Sequence, residues 1–164
     1  MSSRNPYRVL FLCTGNSARS ILAEFILNHR SGGRFEAFSA GAHPTGIVNP
    51  HVLHILSEQY KINPGSARSK SWTEFEGQHF DFIITLCDKA KESCPAWPGR
   101  PITAHWGSPD PADAEGTEEQ IRHRFDEVAA QIAGRIGLFT VFRDEQLDEM
   151  RIRDVANQFI IDTP

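Results

Sequence analysis

The sequence predicts an α/β fold: one four-stranded parallel sheet with helices on both faces. Three observations carry this. The apolar runs Val9-Leu10-Phe11-Leu12 and Phe80 to Leu86 (FDFIITL) are the right length for central strands buried on both sides. Between them lie segments whose apolar residues fall at helical spacing. Clusters of Gly, Pro and Asn mark each change of period. Alternation of strand and helix builds a parallel sheet through right-handed crossovers. Ligands of such sheets sit beyond the carboxyl ends of the strands.

The elements follow in order. Tyr7 to Leu12 is the first strand. Ile21, Leu22, Phe25 and Ile26 define a helix that runs to about Arg30, and Ser31-Gly32-Gly33 stops it. Phe35 to Ala40 is the second strand, followed by a loop with Gly41, Pro44 and Gly46. Asn49 to Tyr60 reads as a helix with Val52, Ile55 and Leu56 on one face, closed by the turn Asn63-Pro64-Gly65-Ser66. Phe80 to Leu86 is the third strand and Ile102 to Trp106 a short fourth. Gly107 to Gly116 is a loop rich in Pro, Asp and Gly. A long helix starts at Thr117, where Glu118 and Glu119 suit the positive end of its dipole. Its buried stripe is Ile121, Phe125, Val128, Ile132, Ile136 and Phe139. Gly134 and Gly137 weaken it, and close packing on the sheet would explain them. Residues 144–164 carry Leu147, Met150, Val155 and Phe159 and read as a helical extension of one domain spanning 1–164.

A chain of 164 residues with 40% hydrophobic content can bury a proper core. The net charge of −4, without a Lys/Arg cluster, argues against nucleic-acid and membrane-surface binding. No apolar run reaches membrane-spanning length, and the polar start lacks a secretory signal. Three cysteines, an odd number, fit a reducing cytoplasm with reactive thiols better than a disulfide framework.

Chemistry concentrates in Cys13-Thr14-Gly15-Asn16-Ser17-Ala18-Arg19-Ser20, between the first strand and the first helix. A loop of this kind can turn the N–H groups of residues 14–19 inward around a tetrahedral oxyanion, with the helix N-terminus adding positive charge. That field favours Cys13 as a nucleophilic thiolate. Arg19 can hold two anion oxygens with its planar fork. Ser20 can donate to the Cys13 sulfur, and Gly15 and Asn16 tolerate a left-handed backbone. The bland alternative makes Cys13 a strand-end packing residue and Arg19 a surface residue. The coincidence of strand, C-x5-R-S loop and helix argues against it.

Cys87, at the end of the third strand, and Cys94 are separated by six residues. This spacing is too wide for a zinc pair, and nothing brings His51 and His54 near a cysteine, so no metal is expected. Both cysteines could be packing residues, although Cys94 sits in a polar stretch. The alternative is a thiol relay: Cys13 attacks an oxyanion, Cys87 attacks the Cys13 adduct, and Cys94 attacks Cys87. Were residues 88–93 helical, the two Cα atoms would lie about 10 Å apart along the axis. A disulfide wants roughly 4.4–6.8 Å. The segment from Asp88 to Gly99 must therefore rearrange on oxidation and is expected to be mobile.

CTGNSARS, FSAG at Phe38 to Gly41, ITLCDKAKESCP and HWGSPDPA from His105 to Ala112 together resemble the thioredoxin-coupled arsenate reductases. These belong to the low-molecular-weight tyrosine phosphatase superfamily. The resemblance covers about the first 140 residues and implies a flavodoxin-like single domain. It implies Cys13, Cys87 and Cys94 as the redox thiols, Asp110 as general acid for the departing oxygen, and thioredoxin as external reductant. By itself Asp110 would read as a turn residue before Pro111. Some relatives bind potassium near the loop. Asn16, Glu24 and Ser39 match three of its ligands, but Lys70 stands at the fourth position, so its ammonium replaces the ion and no potassium is expected.

Phosphate and arsenate are nearly isosteric, so the loop does not separate a phosphatase from a reductase. The Cys87/Cys94 pair does, because only a reductase needs a second thiol to resolve its adduct. A tyrosine phosphatase would also want an aromatic wall beside Asp110-Pro111, where Ala112 stands; Trp106 is near but could equally be core. Arsenate reduction is therefore the expected activity, with weak phosphate-ester hydrolysis as a by-product. A phosphatase working through a Cys13 phosphocysteine is the alternative. A non-catalytic anion-binding regulator would leave three placed cysteines without a role.

Overall fold

A computed structural model describes residues 4–150. The strands are β1 (Tyr7–Cys13), β2 (Phe35–Gly41), β3 (Phe82–Thr85) and β4 (Ile102–His105), all parallel in the order β2-β1-β3-β4. The helices are α1 (Arg19–Arg30), α2 (Pro50–His54), α3 (Asp88–Ser93) and α4 (Glu118–Val141). β1 is thus internal and in register with both neighbours. Leu12 pairs with Ala40 on one side and Thr85 on the other.

The pleat of β1 divides the core. Val9, Phe11 and Cys13 face one way, into a large cluster with Ile21, Leu22 and Ile26 of α1, Val52, and Phe125, Ile132 and Ile136 of α4. Leu10 and Leu12 face the other way, into a smaller cluster with Phe75, Phe80, Ile83 and Ala90 of α3. Helices do lie on both faces, but unequally: α1, α2 and α4 cover one, and α3 with the 3-10 turn Trp72–Phe75 covers the other. Phe11 is fully buried and its ring packs at a tilt against Trp106, which also meets Phe139. Trp106 is therefore half-buried, packed against the core. Truncating a ring such as that of Phe11 costs about 3–5 kcal/mol.

Several expectations need correction. The second helix continues from α2 as a π-helical turn over Ile55–Gln59, which the simple 3.6 period hides. The third strand ends at Thr85, so Cys87 lies beyond it as the N-cap residue of α3. His51 stacks its ring on Phe125 at 4.7 Å. A Cβ at Gly134 or Gly137 would meet nothing within 4 Å, so close packing does not explain these glycines. The capping box at the start of α4 is complete: Thr117 accepts from Gln120 N–H, and Gln120 accepts from Thr117 N–H.

Residues 144–150 are helical, and Leu147 is buried in the larger cluster. Tyr7 anchors this turn by donating to Asp148 at 2.8 Å and to the Asp144 carbonyl at 3.1 Å. Val155 and Phe159 lie outside the described residues. Among the described residues, no helix is long and apolar enough to cross a membrane.

Candidate active site

The loop after β1 is held open from outside. The carbonyls of Cys13, Thr14, Gly15 and Ser17 accept from the N–H groups of Ala42, His43, Thr45 and Asn49, at 2.9–3.2 Å. In a trans peptide C=O and N–H point opposite ways. The N–H groups of Thr14, Gly15, Asn16 and Ala18 therefore turn inward. Asn16 N–H indeed reaches Cys13 Sγ at 3.2 Å. Asn16 supplies the left-handed residue, with φ of 46°; Gly15 is not left-handed, and a Cβ there would press on Thr45 at 3.2 Å. Gly41 is the glycine the loop cannot lose, since a Cβ would sit 2.6 Å from the Thr14 carbonyl.

The loop runs into α1, whose N-terminus has no side-chain cap. Its unpaired N–H groups and positive dipole end face the same space. The result is a cavity of about 260 Å³ lined by the loop from Cys13 to Arg19, with His43, Thr45, Asp110 and Ala112 at its edges. His43 and Thr45 were not singled out in the sequence; they arrive because β2 ends beside β1. A wider depression over α4, lined by Glu119, Arg122, His123 and Asp126, holds no nucleophile.

Cys13 Sγ lies 2.9 Å from Ser20 Oγ, which accepts in turn from the Asn16 amide at 2.7 Å. Burial pushes the Cys13 thiol up; the Ser20 hydroxyl, the Arg19 charge and the Asn16 N–H pull it down without overcoming burial. Desolvation and the polar groups of the loop thus act on this thiol in opposite directions. Arg19 is buried and donates to the Ser108 carbonyl at 2.9 Å, while its other terminal nitrogen lies 3.4 Å from Asp110. Asp110 is fixed at the start of a short 3-10 turn by accepting from Ala112 N–H.

The three thiols are free and unequally placed. Cys87 Sγ sits 3.2 Å from Thr14 Oγ1, so a second sulfur stands at the rim of the anion loop. Cys94 is at the opposite end of α3, where burial pushes its thiol up and the Trp97 side chain opposes this. The structure therefore gathers Cys13, Arg19, Ser20, Cys87 and Asp110 about the loop and leaves Cys94 one short helix away. Among the described residues, no group of three or more His, Cys, Asp or Glu side chains could hold a metal ion.

The Lys70 ammonium lies 3.5 Å from Glu24 and donates to Ser39 at 3.3 Å, among the side chains named in the sequence for a cation. Lys70 N–H also donates to the Asn16 side chain at 2.9 Å, tying this pair to the loop.

Comparison with known proteins gives consistent likenesses. A family model described as Low molecular weight phosphotyrosine protein phosphatase matches residues 8–150. An arsenate reductase of Halalkalibacterium halodurans is 37% identical over 82% of this chain and 96% of its own length. One of Bacillus subtilis is 34% identical over 80% of this chain and 93% of its own. Among solved structures, a thioredoxin-dependent arsenate reductase of Corynebacterium glutamicum superposes with a TM-score of 0.65 at 30% identity, covering 84% of this chain and 62% of that one. A low molecular weight protein tyrosine phosphatase of T. tengcongensis superposes at 0.63 with 27% identity, over 80% of this chain and 98% of that one.

Proposed function

This chain belongs to the low molecular weight phosphotyrosine protein phosphatase family, and we propose that it is an arsenate reductase that turns arsenate into arsenite by a three-thiol relay. The observation that carries this is Cys87 at the rim of the loop, beside Thr14. Hydrolysis resolves the Cys13 adduct with water and needs no second thiol in its catalytic cycle.

The inward N–H groups and Arg19 bind the arsenate dianion. As the dianion enters, Asp110 takes the Cys13 proton. The sulfur attacks arsenic, an As–O bond breaks, and Asp110 returns a proton to the departing oxygen, which leaves as water. Cys87 thiolate then attacks Cys13 Sγ. The S–As bond breaks, its electron pair stays on arsenic, and arsenite leaves. Cys94 attacks Cys87 and frees Cys13, leaving a Cys87–Cys94 disulfide. A thioredoxin dithiol in a reducing cytoplasm supplies the two electrons that reopen it.

The phosphatase alternative shares the loop, Arg19 and Asp110. It lacks an aromatic wall, since Ala112 lines the cavity and Trp106, packed on Phe11 and Phe139, is not among the residues that line it. The test is arsenate-dependent NADPH oxidation with thioredoxin and thioredoxin reductase, with p-nitrophenyl phosphate hydrolysis alongside. Oxidation that vanishes in Cys94→Ala, with a Cys13–Cys87 disulfide trapped after one turnover, is the expected result. Brisk ester hydrolysis without oxidation from any thiol donor would overturn it and make the protein a phosphatase.

A further inference from the structure

We propose that His105, through its hydrogen bond to Asp88, is a positioning residue for the second thiol exchange: it clasps α3 in its helical form while Cys87 and Cys94 are both thiols. This rests on the relay above.

α3 is six residues long, with Cys87 as its N-cap and Cys94 as its C-cap. A helix this short does not hold itself together in water. Ala90 is fully buried and gives it one apolar anchor. Its other side-chain hydrogen bond, Ser93 to the Lys89 carbonyl, is internal. Besides the contact of its N-cap Cys87 with Thr14, a side-chain hydrogen bond ties α3 to β4: His105 Nε2 to Asp88 Oδ1, at 3.1 Å.

The clasp has a firm base. His105 ends β4, in register with Thr85 of β3. Thr85 is buried, and its Oγ1 lies 2.8 Å from His105 Nδ1. A neutral ring with its proton on Nε2 accepts from Thr85 and donates to Asp88. An imidazolium donates to both, because Thr85 can turn its own hydrogen to the Ala104 carbonyl at 3.4 Å. Asp88 is therefore held in either protonation state. Asp88 is the residue next to Cys87, so the clasp acts on the turn that must unwind before Cys94 can reach Cys87. Cys94, Lys91 and His105 line one cavity of about 310 Å³, into which the unwound segment can move.

A contact made only by the dithiol form stabilises that form. It makes the Cys87–Cys94 disulfide easier for the external dithiol to reduce, as stabilised reduced forms do in other thiol couples. It does not touch the anion loop and leaves the first exchange alone.

The test is the equilibrium of the Cys87–Cys94 couple in defined glutathione or dithiothreitol buffers, for wild type, Asp88→Ala, His105→Ala and the double variant. The Asp88 side chain is 88% exposed, so its removal leaves the fold intact. Each single change is expected to favour the disulfide about five-fold, the worth of one hydrogen bond, which is about 20 mV for a two-electron couple. The double variant is expected to shift no further than the larger single, and His105→Gln, which keeps a donor, to restore most of the wild-type value. Formation of the Cys13–Cys87 disulfide in a Cys94→Ala background stays unchanged. Singles that leave the couple where it was, or that add fully in the double, overturn the clasp while the relay stands. If oxidised wild type forms no Cys87–Cys94 disulfide, both fall.

Discussion

Thr14 Oγ1 lies 3.2 Å from Cys87 Sγ, joining the anion loop to the second sulfur across the ends of two adjacent strands. A hydroxyl there can donate to the Cys87 sulfur as it attacks and aims it at the adduct. Thr14→Val keeps the shape and removes the donor. It is expected to slow formation of the Cys13–Cys87 disulfide about ten-fold, the worth of one hydrogen bond to a charged group. Competitive inhibition by phosphate should not change. Rapid-quench alkylation with mass spectrometry reads the first quantity and steady-state kinetics the second.

Asp110 lies 3.4 Å from Arg19 and lines the cavity, where the proposed mechanism needs a proton donor. Asp110→Asn keeps the cap on Ala112 N–H but cannot give up a proton. Arsenate-dependent turnover should fall by about 10²–10⁴, while phosphate still binds. A variant that turns over at the wild-type rate would remove Asp110 from the chemistry.

The buried pair Glu24 and Lys70 gives a pH-dependent fold. Burial pushes Glu24 above 4.5 and Lys70 below 10.5, each against the other's attraction. A carboxyl raised in the folded state contributes stability that is present below its unfolded value and lost as pH rises through its folded value. Urea unfolding at pH 4 and pH 7 should therefore find the wild type losing ground to Glu24→Gln as pH rises. A gap moving the other way would mean that Lys70 holds Glu24 ionised despite burial. Because the Lys70 ammonium supplies the local positive charge, exchanging potassium for sodium should leave arsenate turnover unchanged in the wild type.

Gly134 is exposed inside α4, with room for a Cβ. Gly134→Ala should stabilise the fold by about 0.5–1 kcal/mol, read as a higher urea midpoint at unchanged slope.

The loop was legible in the sequence because its meaning is local: a strand, C-x5-R-S and a helix fix their own geometry. The order of elements was legible too, through the switch between strand and helix periods. The site's outer parts were not, because residues far apart in the chain meet there. His43 and Thr45 reach the cavity through the β1–β2 pairing, and the Ser108 carbonyl reaches Arg19 from beyond β4. His105 meets Asp88 for the same reason, and no motif announces it. The burial that opposes ionisation of Cys13 was not legible, because partial charges can be read from a loop, whereas burial is a property of the finished core. Gly134 was misjudged because a glycine in a helix gives no sign of what faces it.

The bond between Arg19 and the Ser108 carbonyl spans 89 residues. On a ribosome adding about 5–20 residues per second, Cys13 emerges roughly 5–20 seconds before the segment that completes its cradle. Through that interval the thiol is neither buried nor surrounded by the assembled donors. It reacts as an ordinary exposed cysteine, open to oxidants and to disulfide formation with Cys87. Completion of the cradle around Cys13 thus waits on the segment beyond β4 reaching Arg19.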